Sequence, residues 1–273
     1  MSTSTATIDL ETRPLGRPGF TRGLIRLELR RLARNRRTLV FTLVFPVAML
    51  LIVNGSIPAG QQSMGPGVIA NVGAYLMVSM ALYGVVMAAT SGGAAVAVER
   101  ASGWSRQLRL TPLSATSFIL LKIAVAIALS ALALGATFGA AAALGIPHLS
   151  PGSWVASALI ILAGSFVFAA FGLFVGYLVP SENVMQFVGP ILAVLGFLGG
   201  LFQGQVDTST VMGQVQSYSP IYGLSQIAHW PLTLTTAGTH AAFDGWWVVN
   251  LLGWGLLFTA GAVWRFRTDT ARA

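Results

Sequence analysis

An all-α polytopic membrane protein with six transmembrane helices is what this sequence predicts, and three observations carry the prediction. Of 273 residues, 55% are hydrophobic and only 9% charged, where a soluble domain carries about a quarter charged residues. Residues 68–98 hold no charged side chain, and neither do residues 123–179; each run exceeds the roughly 20 residues a helix needs to cross hydrocarbon. The 16 Lys and Arg residues are confined to residues 13–37, 100–109, Lys122 and residues 265–272.

In chain order, residues 1–19 are polar and interrupted by Pro14, Gly16, Pro18 and Gly19, the composition of a flexible cytoplasmic tail. No apolar core followed by a small-residue cleavage site occurs there, so no cleaved signal peptide is expected. Residues 20–37 read as a basic amphipathic helix. Ile25, Leu29 and Leu32 share one face, and Arg26, Arg30, Arg34 and Arg37 line the other, where anionic headgroups would meet them. Such a helix anchors the first span on the positive side, and it can also act as an elbow that touches a partner. The transmembrane domain covers 38–264. Its first span, 38–53, is short, with Pro46 as a possible kink. A Gly/Pro/Gln-rich external loop at 54–66 leads to a second span at 67–98, where Gly92-Gly93 marks a bend. The third span is 113–145, with Lys122 near its inner end and free to snorkel. An external turn at 146–152, a fourth span at 153–179, an inner turn at 180–183 and a fifth span at 184–202 follow, with Pro190 inside the fifth. The outer segment 203–240 is less apolar and suggests two short helices, near 208–218 and 221–230, parted by Ser219-Pro220 and lying at the outer interface or dipping partly into the bilayer. The sixth span is 243–264, and 265–273 is a short cytoplasmic tail.

Six crossings place both termini on one side, and the basic residues make that side cytoplasmic. Trp154, Trp230, Trp246 and Trp247 then fall at the outer boundary, and Trp104 and Trp264 at the inner one, as aromatic belts require. The same asymmetry explains the net charge of +8 without nucleic acid.

What is missing narrows the chemistry. Cysteine is absent, so no disulfide or cysteine metal site exists. His148, His229 and His240 fall in outer loops without metal-ligand spacing and read as exposed or interfacial. Asp207, His229 and the nearby serines lack the strand-turn-helix context of a nucleophile. No Gly-x-x-x-x-Gly-Lys-Ser/Thr loop is present to cradle ATP. No Asp, Glu, Lys or Arg lies mid-span, which argues against a gradient-driven carrier. Mid-span polar groups do occur: Asn71, Tyr75, Ser79, Tyr83, Ser130, Thr137, Ser165 and Gln186. They serve interhelical hydrogen bonding, or they give a lightly polar lining to a substrate path, for which Asn71, Tyr75, Ser79 and Tyr83 are the candidates. Small residues at helix-packing spacing occur at Gly135/Gly139, Gly172/Gly176 and Gly196/Gly200/Gly204, the last set being the candidate dimer contact.

Between spans two and three lies a compact, basic, Trp-bearing stretch, residues 99–112, the candidate docking point for a soluble partner. Val98-Glu99-Arg100-x-x-Gly103, then Leu108-Arg109-Leu110-Thr111-Pro112-Leu113-Ser114 and Leu121-Lys122, resembles the signature of ABC-2 type permeases, the membrane subunits of ATP-driven exporters with the type V exporter fold. The Gly-rich run from Leu195 to Phe202 and Tyr218-Ser219-Pro220-Ile221-Tyr222 extend the likeness, whose nearest branch is the drug-resistance, daunorubicin-type efflux permeases of actinobacteria. The resemblance implies a permease, not an enzyme, in the bacterial inner membrane. Two permease chains, expected to be identical, would pair with two copies of a separate ATPase that carries the ATP and Mg; no cofactor is expected in this chain. Loop 99–112 would be the coupling helix, with Glu99, Arg100, Gly103, Trp104, Arg106 and Arg109 at the ATPase. Spans one, two and five would line a path for an amphipathic, drug-like or hydrophobic cargo leaving the cell. Lipid-linked or glycolipid cargo would suit the same architecture.

Overall fold

The computed structural model describes residue 30 and residues 39–56, 62–101, 115–179, 184–204 and 206–270. The expected tail at 1–19, nearly all of the amphipathic helix at 20–37, most of the loop at 99–112 and the inner turn at 180–183 lie outside the described residues. Within them the chain is helical and contains no strand. The helices are α1 (Phe45–Ser56), entered through a π-turn at Val40–Val44, α2 (Val72–Ala101), α3 (Ala115–Ala143), α4 (Pro151–Leu178), α5 (Val184–Leu198), α6 (Val211–Ser217), α7 (Tyr222–His229), which runs into a 3-10 turn at Trp230–Thr233, and α8 (Gly245–Thr270).

Four of these, α2, α3, α4 and α8, are long and apolar enough to cross a membrane, whereas Val40–Ser56 and Gln186–Leu198 are shorter apolar helices.

Local chemistry sets the boundaries and corrects several of the expected ones. The second helix begins at Val72, not 67, because Asn71 caps it: its Oδ1 accepts the Ala74 N–H at 2.9 Å. The fourth begins at Pro151, not 153, because Ser150 Oγ accepts the Ser153 N–H at 3.1 Å and proline suits the first helical position. The third and fifth helices end alike. Gly145 (φ +62°) and Gly200 (φ +77°) take the left-handed turn that returns the next N–H to the helix, Ile146 to Ala141 O at 3.1 Å and Leu201 to Gly196 O at 3.0 Å. The fifth helix therefore stops at Leu198, four residues short of expectation. In the other direction α8 continues past Trp264 to Thr270, so the expected basic tail is largely the last turns of a helix.

Helix α2 is the core. Buried residues make up 89% of its most apolar stretch, against 44% for α3 and α4 and 17% for α8. Glycines explain the close packing. A Cβ at Gly92 would lie 2.8 Å from Ala126 Cβ of α3, one at Gly93 would overlap the α4 backbone at Ala169, and one at Gly172 would overlap the carbonyl of Thr90. Gly92-Gly93 is thus not a bend: α2 runs unbroken through it, and both glycines admit neighbouring helices. Gly172 and Gly176 behave as helix-packing glycines, whereas Gly135 and Gly139 face open space, with nothing within 4 Å. Pro46 lies inside the continuous helix Val40–Ser56, just after the π-turn at Val40–Val44, and its ring meets the α2 backbone at Gly84.

Candidate functional site

Glu99 and Arg100 lie on the last turn of α2, the central helix of the bundle. Gly103, Trp104, Arg106 and Arg109 lie outside the described residues.

The four candidate path residues, Asn71, Tyr75, Ser79 and Tyr83, follow one another at helical spacing down one face of α2, and all are buried. Three of them are bonded within the chain. Asn71 joins the α3–α4 turn, donating to Ile146 O at 2.9 Å and accepting from His148 N–H at 2.9 Å. Tyr75 donates its hydroxyl to Gly200 O at 3.0 Å, holding the turn that ends α5. Ser79 meets His229 Nε2 at 3.0 Å. Tyr83 instead packs its ring against Phe45 of α1 and Phe202, at centroid distances of 5.9 and 5.2 Å.

His229 overturns its reading as an exposed or interfacial residue. It is buried at the end of α7, with its ring stacked on Tyr75 at 4.2 Å. Its Nδ1 donates to Ser225 O at 2.7 Å, the shortest of its contacts, and its Nε2 lies 3.0 Å from the Ser79 hydroxyl and 3.3 Å from Tyr75 O. Burial pushes the imidazole down to about 4, which leaves it neutral at neutral pH. The expected reading holds better for His240, exposed and stacked on Trp230 at 4.5 Å.

The expected pair of short outer helices exists as α6 and α7, and α7 is packed into the bundle. A short buried helix leaves its end groups without partners, and orphaned backbone groups in an interior are costly. Here α4 and α8 supply them. Ser153 and Ser157, one turn apart on α4, donate to Pro231 O at 2.7 Å and Ala228 O at 2.9 Å. On α8, Asn250 accepts from the Gly223 N–H and donates to Ser217 O, both at 3.1 Å. Trp246 and Trp254, a turn to either side, donate to Ser217 O at 3.1 Å and Tyr218 O at 2.9 Å. Trp246 is therefore more than a belt residue. The roles of Ser153, Ser157, Asn250 and Trp254 went unread in the sequence. Their signal was present as polar side chains four residues apart in two otherwise apolar helices.

Gly196, Gly200 and Gly204 do not form one helical stripe. Gly196 lies on α5 against the rings of Phe202 and Tyr83 of its own chain, whereas Gly200 and Gly204 (φ +90°) lie beyond the end of α5 in turns.

Residues 48–264 match the family described as "ABC-2 family transporter protein". The chain belongs to this family. That range takes in α2 to α7 whole and about three quarters of α1 and α8. A Bacillus subtilis (strain 168) protein named transport permease YvfS is 24% identical over 200 residues, covering 71% of this chain and 78% of that protein. No solved structure matches the chain. Membership makes the chain a membrane permease of an ABC transporter, a transport subunit of a kind that normally works with an ATPase subunit. In this ABC-2 permease Ser153, Ser157 and Asn250 are spent on holding α7 and its flanking turns.

Proposed function

We propose that this ABC-2 permease is the membrane half of an ATP-driven exporter that carries an amphipathic, drug-like or hydrophobic molecule out of the cell. In this reading two identical permease chains assemble with two copies of a separate ATPase, which binds the ATP and Mg. The complex resides in a bacterial inner membrane with both permease termini in the cytoplasm. Counting α1 and α5 as short crossings beside α2, α3, α4 and α8 gives six spans.

The observation that carries the reading is family membership across most of the span-bearing region, residues 48–264. Two features support it. Helix α2 runs without interruption from Val72 to Ala101, so Glu99 and Arg100 stand on the most buried helix and the rest of the 99–112 stretch follows it in the chain. A push on that loop by an ATPase would be delivered to the core. Second, among the described residues no acidic or basic side chain occupies the middle of a helix, which leaves a gradient-driven carrier without a coupling charge.

Inside-out membrane vesicles holding the permease and its co-expressed ATPase provide the test. ATP should drive accumulation of daunorubicin, and Glu99→Ala should abolish accumulation while the two subunits still co-purify. Accumulation no greater than in vesicles lacking the permease would contradict the proposal.

A further inference from the structure

The helices around α2 are attached to it and to one another in two different ways. Helices α3, α4, α7 and α8 are locked by backbone. Gly92 admits Ala126, Gly93 and Gly172 bring the α2 and α4 backbones together, and Gly223 brings α7 against the α8 backbone at Trp247. Bonds from Ser153, Ser157, Trp246, Asn250 and Trp254 to backbone groups add to the lock. Parting the α4–α7 or α7–α8 seam would orphan a buried backbone group.

Helix α5 has no such attachment to α2; it is bonded to another helix at its C-terminal end, where Gln216 of α6 reaches Phe197 O at 3.5 Å. Among the described residues no hydrogen bond joins it to α2. It rests on α2 through a narrow ridge, Val188, Leu192 and Gly196, and the groups facing Gly196 are ring edges of Phe202 and Tyr83 rather than backbone. Rings and aliphatic side chains can exchange neighbours along such a ridge without losing a bond. Pro190 opens the helix's own hydrogen-bond ladder. At its outer end the chain turns through two glycines of positive φ, Gly200 and Gly204. That turn is the part held in place: Tyr75 bonds Gly200 O at 3.0 Å, and Gln203 reaches Phe197 O at 3.3 Å.

An anchored turn at the C-terminal end and, among the described residues, an apolar ridge with no hydrogen bond to α2 describe an arm hinged at that turn. We propose that α5 is the moving element of this permease: it swings over the Tyr83 face of α2 about the Gly199–Gly204 turn, while α2, α3, α4, α7 and α8 travel as one body. The outer segment then belongs to the stationary body. The proposal rests on the transport reading for its purpose, though not for its geometry.

The chain contains no cysteine, so spin labels can be placed cleanly. One pair is Val194→Cys on α5 with Leu132→Cys on α3; the control pair is Leu159→Cys on α4 with Leu256→Cys on α8, all four sites being exposed. Labelled copies diluted into unlabelled chain, with the co-expressed ATPase, are measured by pulsed electron paramagnetic resonance without nucleotide and after trapping with ATP and vanadate. The α5 pair should give the broader distance distribution without nucleotide and move on trapping by on the order of 5 Å, one helical turn. The control pair should stay narrow and unmoved. Equal widths and equal shifts for the two pairs would overturn the proposal. If no ATPase assembles, the transport reading fails, and the comparison of widths in the permease alone still decides whether α5 is the loose arm.

Discussion

Helix α2 meets α4 on one side and α5 on another, and the two seams are built from different materials. At the α4 seam, glycines on both helices remove side chains until backbone meets backbone; Gly172 stands against the carbonyl of Thr90, and Gly93 against Ala169. At the α5 seam, one glycine makes room for two aromatic rings, and no hydrogen bond crosses among the described residues. Both seams are apolar, and both contain a small-xxx-small spacing in sequence. The spacing alone therefore does not distinguish a rigid contact from a loose one. The distinction lies in what faces the glycine: a carbonyl cannot step aside, and a ring edge can.

The strongest way to break this comparison is Gly172→Val. The added side chain must displace the Thr90 carbonyl, so overpacking should cost about 3 kcal/mol or more and remove the monodisperse peak in detergent size-exclusion chromatography. Asn250→Ala comes next. It orphans the Gly223 N–H and loses one donor to Ser217 O, for a loss of about 2 kcal/mol and a clear drop in melting temperature.

The α2–α7 contact can be read against pH. Because burial holds His229 at about 4, below its ordinary 6.5, the stabilisation from keeping it neutral is complete above pH 6.5 and is lost progressively as pH falls toward 4. The melting temperature should fall over that window, and His229→Gln should show a smaller fall; equal falls would remove the imidazole as the cause. At the α5 seam Gly196→Ala should cost only about 1 kcal/mol, because the Phe202 ring can yield. A cost as large as that of Gly172→Val would erase the difference between the seams. Smallest of all, Gly135→Ala faces open space and should raise stability by about 0.5–1 kcal/mol through helix propensity alone.

Much of the fold was legible because bilayer-length apolar runs are a local signal, whereas the caps at Asn71 and Ser150 that fix two helix starts were passed over. The long helices and the pair of short outer helices fall close to where periodicity and composition put them. The sequence misled where one residue type serves two ends. Gly200 sits at helical spacing from Gly196, yet it closes a helix with a left-handed turn. His229 sits in a polar stretch, yet α7 folds that stretch inward, and its partners, Tyr75 and Ser79, are about 150 residues away in sequence. The candidate path on α2 was legible as a polar face, but what its side chains bond to depended on those long-range contacts. Ser153, Ser157 and Asn250 were passed over for the same reason: isolated polar residues in apolar helices acquire a role only when orphaned helix ends are brought to them.

The most direct test of the account is co-purification. The tagged permease, expressed with the genes adjoining its own, is isolated in mild detergent and assayed for ATP hydrolysis. The account predicts a soluble ATPase in one-to-one ratio with the permease, and activity lost when the Arg100–Arg109 loop is altered. A stable permease that captures no ATPase under these conditions would contradict it.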